Sequence, residues 1–130
     1  MLNSLQNPLS LVGRALLALL FIPAGYGKIV GFAGMVSYAA AKGVPMPELA
    51  IAAAIVIELG LGLLLLVGFQ TRWVALAMAF FTLVISFIFH PLSDPTQAQS
   101  FFKNIAVVGG LLTVAAWGAG GWSVDAKLGR

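Results

Sequence analysis

Apolar and polar positions fall in long blocks along this chain, not in the short alternations of a soluble fold. Four apolar blocks are long enough to cross a bilayer, at about residues 9–27, 48–69, 72–90 and 102–119. The second is the clearest. From Leu49 to Phe69 every residue except Glu58 is apolar or glycine. As a helix that run rises about 31 Å, the thickness of a bilayer's hydrocarbon core. Gly31 to Pro47 is too long for a tight turn, and Phe32, Met35, Val36, Tyr38, Ala39 and Lys42 within it predict a short helix at the interface. Pro47-Glu48 suits the start of the second span. Gly68 to Arg72 is a short link, so spans two and three are expected to form an antiparallel hairpin. Pro23 is expected to kink the first span by removing a backbone donor, and His90-Pro91 ends the third. The predicted fold is all-α: a single domain forming an integral membrane four-helix bundle of up-down topology, with a short interfacial helix between spans one and two.

Composition agrees with a membrane domain. The chain is 61% hydrophobic and 8% charged, where a soluble domain carries roughly 25% charged residues. Its net charge of +3 comes from basic residues scattered singly, which gives no nucleic-acid footprint. With no cysteine and one histidine, the chain cannot form a dithiol–disulfide pair, an iron–sulfur cluster, a thiolate zinc site or an intrachain bis-histidine haem, and no metal site is predicted. The N-terminus lacks a basic stretch before its apolar run, so it is expected to be a retained first helix. Arg14, Arg72, Lys127 and Arg130 gather on the side of the termini and Lys28, Lys42 and Lys103 on the other, which predicts cytoplasmic N- and C-termini.

Helical spacing then selects faces. Arg14, Ala18, Phe21, Gly25 and Lys28 share one line on the first span, and Ala50, Ala54, Glu58 and Gly62 form a small-residue ridge on the second. Ala75, Ala79, Thr82, Ser86 and His90 line the third, and Lys103, Val107, Gly110 and Val114 the fourth, with Asn104 beside them. Glu58 stands at mid-depth, where a carboxylate costs roughly 2.5–3.5 kcal/mol on insertion scales. Arg14 is expected to reach it as a buried partner, either as a structural pair fixing register or as a tuning charge. Lys28, His90, Lys103 and Asn104 are expected to share a depth above it. Snorkelling lysines and a helix-ending histidine are the plain alternatives.

In their order and spacing these residues resemble the DoxX family of small four-span bacterial inner-membrane proteins. The resemblance covers nearly the whole chain. It rests on Arg14, Gly27-Lys28, Gly31, Gly43-Val44-Pro45, Glu58, Gly68-Phe69, Thr71-Arg72 and His90, then Phe102-Lys103-Asn104, Gly109-Gly110 and Ser123-Val124-Asp125. It implies a four-helix bundle. It also implies a likeness to the small membrane subunit of a thiosulfate–quinone oxidoreductase, or to members that associate with redox-defence partners.

The expected function is that of a membrane subunit binding a quinone-like or small anionic ligand and assisting redox chemistry with a partner protein, as an accessory subunit of a membrane oxidoreductase. Glu58 would hold or move a proton and Arg14 would tune it. Lys28, His90, Lys103 and Asn104 would hydrogen-bond the ligand. A small-molecule binding or transport protein, and a non-catalytic membrane assembly factor, are the rival readings. Association into a homo-oligomer is compatible with all three.

Overall fold

The computed structural model describes residues 2–129; Arg130, counted above among the terminus-side charges, lies outside the described residues. Among the described residues, four helices are long and apolar enough to span a membrane: Leu2–Val30, Pro47–Val67, Thr71–Phe89 and Pro95–Trp117. Each follows from a largely apolar run bounded by turn-forming residues. The first continues across Pro23, which does not end it. The short helix Phe32–Ala41 forms as predicted, and a single turn, Val124–Lys127, follows the fourth span. Among the described residues there is no strand.

The second and third spans are joined by a three-residue reversal in which Gly68 and Gln70 both take left-handed backbone, at φ 78° and 49°. Although that link is short, the tightest packing is elsewhere. The first span lies along the second and the third along the fourth. The two pairs meet over Phe21, Leu65, Val74, Ala75, Met78, Ala79 and Leu111. Close approach of the first pair depends on glycine. A Cβ on Gly25 would lie 2.8 Å from the Leu59 backbone nitrogen, and one on Gly62 would lie 3.0 Å from the Ile22 side chain. Where lipid is as apolar as the side chains, small residues are what let two backbones come together.

The buried face of the first span is Arg14, Ala18, Phe21 and Gly25, the predicted line. On the second, Ala54, Glu58 and Gly62 are buried together with Ile51 and Leu65. On the third, Ala75, Ala79, Thr82 and Ser86 are buried. The fourth span departs from expectation. Phe101 and Leu111 are its buried residues, and Lys103 faces outward. Leu16, Leu19, Phe80, Trp73 and Trp117 lie exposed on the outside of the bundle, where the lipid would be.

Candidate functional site

Glu58 is only 3% exposed, although it is a carboxylate at the middle of a spanning helix. The helix is not regular there: Val56–Leu61 is wound as a π-helix. Such wide turns shift the register of the side chains and are found disproportionately at functional sites. Gly25 of the first span packs directly against this turn, bringing Lys28 one helical turn above it. Lys28 Nζ donates to Glu58 Oε1 at 2.8 Å. The other carboxylate oxygen, Oε2, has no donor among the described residues.

Glu58 and Lys28 line a cavity of about 300 Å³ between the second and third spans, with the short helix as its roof. Ile51 and Ala54 form one wall, Phe81, Ile85 and Phe89 the other, and Met35 and Tyr38 the cover. The Tyr38 ring stacks on Phe89 at 5.3 Å, and the Lys42 ammonium lies 5.7 Å above Tyr38. Tyr38, Val84 and Ile88 border the cavity and are also exposed on the lipid side. These three mark the rim where the cavity meets the outside of the bundle.

His90 lines the same cavity at the end of the third span. Its Nδ1 lies 2.6 Å from Gln97 Oε1. As the Gln97 amide is placed, Nδ1 donates to its oxygen. Gln97 is held by the loop that follows. Asp94 Oδ1 accepts from the Thr96 amide at 3.0 Å and from its hydroxyl at 2.7 Å. The Thr96 hydroxyl, then its amide, and more weakly the charge of Lys42, hold the Asp94 carboxyl below its ordinary range.

The predicted pairing of Arg14 with Glu58 is not what the structure shows. Arg14 is 1% exposed and lies at the terminus end of the bundle. Its Nη1 donates to the carbonyls of Leu65 at 3.0 Å and Leu66 at 2.8 Å, and its Nη2 to the carbonyl of Trp122. Leu65 and Leu66 hold two of the last carbonyls of the second span, which have no partner within their own helix. Asp125 completes the arrangement, accepting from the Gln70 amide at 2.7 Å and the Thr71 amide at 2.8 Å at the start of the third span. A carboxylate at a helix N-terminus and a guanidinium at a C-terminus each oppose the local dipole. Gly68 is needed between them, because a Cβ there would meet Ser123 at 2.5 Å and Arg14 at 2.7 Å. Ser10 donates to the Ala119 carbonyl at 2.8 Å, and Arg72 Nε to that of Ala115 at 2.7 Å. This is a structural cap, and Arg14 belongs to it.

Lys28, Glu58 and His90 are thus brought to one cavity. Lys103 and Asn104 do not line it: Lys103 is exposed and Asn104 half-buried on the fourth span. Two residues join the site that sequence reasoning does not assign to it. Sequence places Tyr38 only on the interfacial helix and Gln97 only in a polar loop. Their signal is an aromatic and an amide flanking the histidine's element, which spacing alone does not connect.

The DoxX family profile matches residues 9–91. The chain is 41% identical over 130 residues to inner membrane protein YqjF of Escherichia coli (strain K12), covering 99% of this chain and 98% of that one. It is 37% identical over 125 residues to inner membrane protein YphA of the same organism, covering 92% and 89%. No solved structure matches. The chain belongs to the DoxX family.

Proposed function

We propose that this DoxX-family membrane protein binds a quinone-like lipophilic molecule in the cavity between its second and third spans, and that it does so as a subunit working with a redox partner. The observation that carries this reading is Glu58: a buried carboxylate with one oxygen unmet among the described residues, on the wall of an otherwise apolar and aromatic cavity. Intramembrane ionisable groups are costly and are retained for a partner, a proton or a ligand. Here the partner, Lys28, satisfies one oxygen alone. A cavity of about 300 Å³ is at the small end of ligand sites, enough for one ring with its tail left in lipid. The rim at Tyr38, Val84 and Ile88 would let such a molecule enter from the bilayer.

The pair also bears on the charge of the ligand. Lys28 is already matched by Glu58, so the cavity offers little net positive charge. That favours a neutral head over the small anion that the sequence leaves open. Lys28 keeps N–H donors beyond the one it gives to Glu58, and His90 stands nearer the aqueous end. The chain has no thiol, so electrons would pass between the ligand and the partner while this subunit holds the ligand and its proton. The two relatives are named as inner membrane proteins, which supports the same location here; the reading with both termini cytoplasmic rests on the distribution of basic residues alone. Fixing helix register, the role of an assembly factor, falls to Arg14 and not to Glu58.

The test is direct binding in nanodiscs. The wild type, the Lys28→Met/Glu58→Gln double variant and an Asp94→Asn control are titrated with a panel of ubiquinone and menaquinone analogues. Saturable binding by wild type and control, weakened in the double variant, is expected. No saturable binding to any member of the panel refutes the reading.

A further inference from the structure

The outer face between the third and fourth spans is hollowed. Trp73, Leu76, Phe80 and Leu83 of the third span, with Val108 and Leu112 of the fourth, line a groove of about 560 Å³. It shares no lining residue with the Glu58 cavity. Leu83 follows Trp73 by ten residues, about 15 Å along a helix axis. That is one leaflet of a hydrocarbon core about 30 Å thick. At its terminus end the groove meets a charge, because Trp73 and Leu76 also border a hollow lined by Arg72 and Ala115. Ala115 holds one of the last carbonyls of the fourth span, which lack a partner within their own helix. Arg72 Nε donates to it at 2.7 Å. The guanidinium has four further N–H bonds on its two Nη atoms; these make no hydrogen bond to the described residues, and Arg72 is exposed. Asp125, the carboxylate at this end of the bundle, is taken up by the Gln70 and Thr71 amides, and Arg14, Arg72 and Lys127 outnumber it.

From this we infer that the groove is a site for an anionic phospholipid, with one acyl chain lying between the third and fourth spans and the phosphate paired with Arg72. The bond to Ala115 fixes the guanidinium at Nε and leaves its Nη edge outward. That edge presents two parallel donors to two phosphate oxygens, the fork geometry in which arginine binds phosphate. Below it the apolar groove runs to the depth that one acyl chain reaches. Trp73 and Trp117 are 73% and 85% exposed, and indoles so placed sit at the level of lipid headgroups. The surplus of cations favours a headgroup of net negative charge over a zwitterion, which brings a cation of its own. A helix of a second copy is the poorer occupant, since it would cross both leaflets and the groove follows one. Capping the fourth span needs Nε alone, so a cap does not account for the free Nη edge at the mouth of an acyl-sized groove.

Three probes with the same acyl chains separate the possibilities: dioleoyl phosphatidylglycerol, dioleoyl phosphatidylcholine and dioleoylglycerol, which has no phosphate. Their dissociation constants for the full chain in mild detergent are measured by native mass spectrometry. Phosphatidylglycerol is expected to bind about fivefold more tightly than phosphatidylcholine, the worth of one basic residue at a membrane surface, and dioleoylglycerol more weakly than either. Arg72→Gln should bring the two phospholipids together. Ala77→Phe fills the groove from an exposed position without changing charge, and should weaken both. Lys103→Gln, at the other end of the fourth span, should change neither. Equal affinity of the wild type for the two phospholipids overturns the inference, as does a preference that survives Arg72→Gln. A dimer that Ala77→Phe dissociates, with no lipid bound, overturns it by giving the groove to a second copy. The wild-type comparison needs no variant, so it decides the matter even where Arg72→Gln fails to fold.

Discussion

Glu58 should be energetically coupled to Lys28 and not to Arg14, and two double-mutant cycles can separate the cases. The structure supplies the magnitudes. Lys28 Nζ and Glu58 Oε1 are 2.8 Å apart, with side chains 20% and 4% exposed. Removing one member of a buried pair typically costs about 3–5 kcal/mol because the other charge is stranded. The partial exposure of Lys28 puts this pair at the lower end, near ~3 kcal/mol for Glu58→Gln or Lys28→Met alone. The double variant strands no charge and should recover a coupling of about 1–3 kcal/mol. Arg14 is different. Gly25 sits against Glu58, and Arg14 precedes it by eleven residues, about 16 Å along a helix axis. Arg14→Met should be strongly destabilising through its three stranded carbonyls, yet additive with Glu58→Gln to within about 0.5 kcal/mol. Equilibrium unfolding by SDS in mild mixed micelles gives the four free energies of each cycle. Coupling above about 1 kcal/mol between Arg14 and Glu58, or additivity between Lys28 and Glu58, would refute this assignment of partners.

Further outcomes follow from the packing and the loops. Gly25→Ala should lower stability by about 1–3 kcal/mol and weaken ligand binding, because its Cβ would push the first span away from Leu59 and Glu58; unchanged unfolding and binding curves would show that the approach is not tight. Gly68→Ala should cost at least as much, combining a contact at 2.5 Å with left-handed backbone at φ 78°, again read by SDS unfolding. Gln97→Leu should leave stability nearly unchanged while weakening ligand binding, because it removes the group that holds the His90 ring at 2.6 Å; an unchanged nanodisc titration would show that the ring's placement does not matter. Reporter fusions after residue 130 and within residues 91–97 should report opposite compartments, the first cytoplasmic; the same compartment for both would show that the fourth helix does not cross the membrane.

The spans are legible in the sequence because each is a bounded apolar run, and the first span's inner face is legible because Arg14, Gly25 and Lys28 repeat at helical spacing. The register between spans is not. It depends on how the 17 residues from Gly31 to Pro47 are folded. The short helix there sets Glu58 level with Gly25, which makes Lys28 its neighbour and puts Arg14 out of reach. The rotation of the fourth span is hidden for another reason. Lipid-facing positions are as apolar as core positions, so the line through Lys103, Val107 and Gly110 is no weaker in sequence than the line through Phe101, Val108 and Leu111. The π-helical turn at Glu58 has no sequence mark. The fragments Gly68-Phe69, Thr71-Arg72 and Ser123-Val124-Asp125 are visible as a pattern, but their convergence on Arg14 is a matter of three dimensions.

That convergence has a bearing on how the chain is made. The carbonyls of Leu65 and Leu66 acquire their donor from a residue synthesised long before them, but the guanidinium's third partner and the acceptor for the Gln70 and Thr71 amides come from Trp122 and Asp125. Those two residues leave the ribosome after all four spans. A chain truncated after residue 120 would carry all four spans and still be unsealed, its central hairpin loop exposing amides that the longer chain covers. Closure of this end thus waits on the last residues made, and a membrane protease meeting the protein before they dock would find an end that the docked cap otherwise covers.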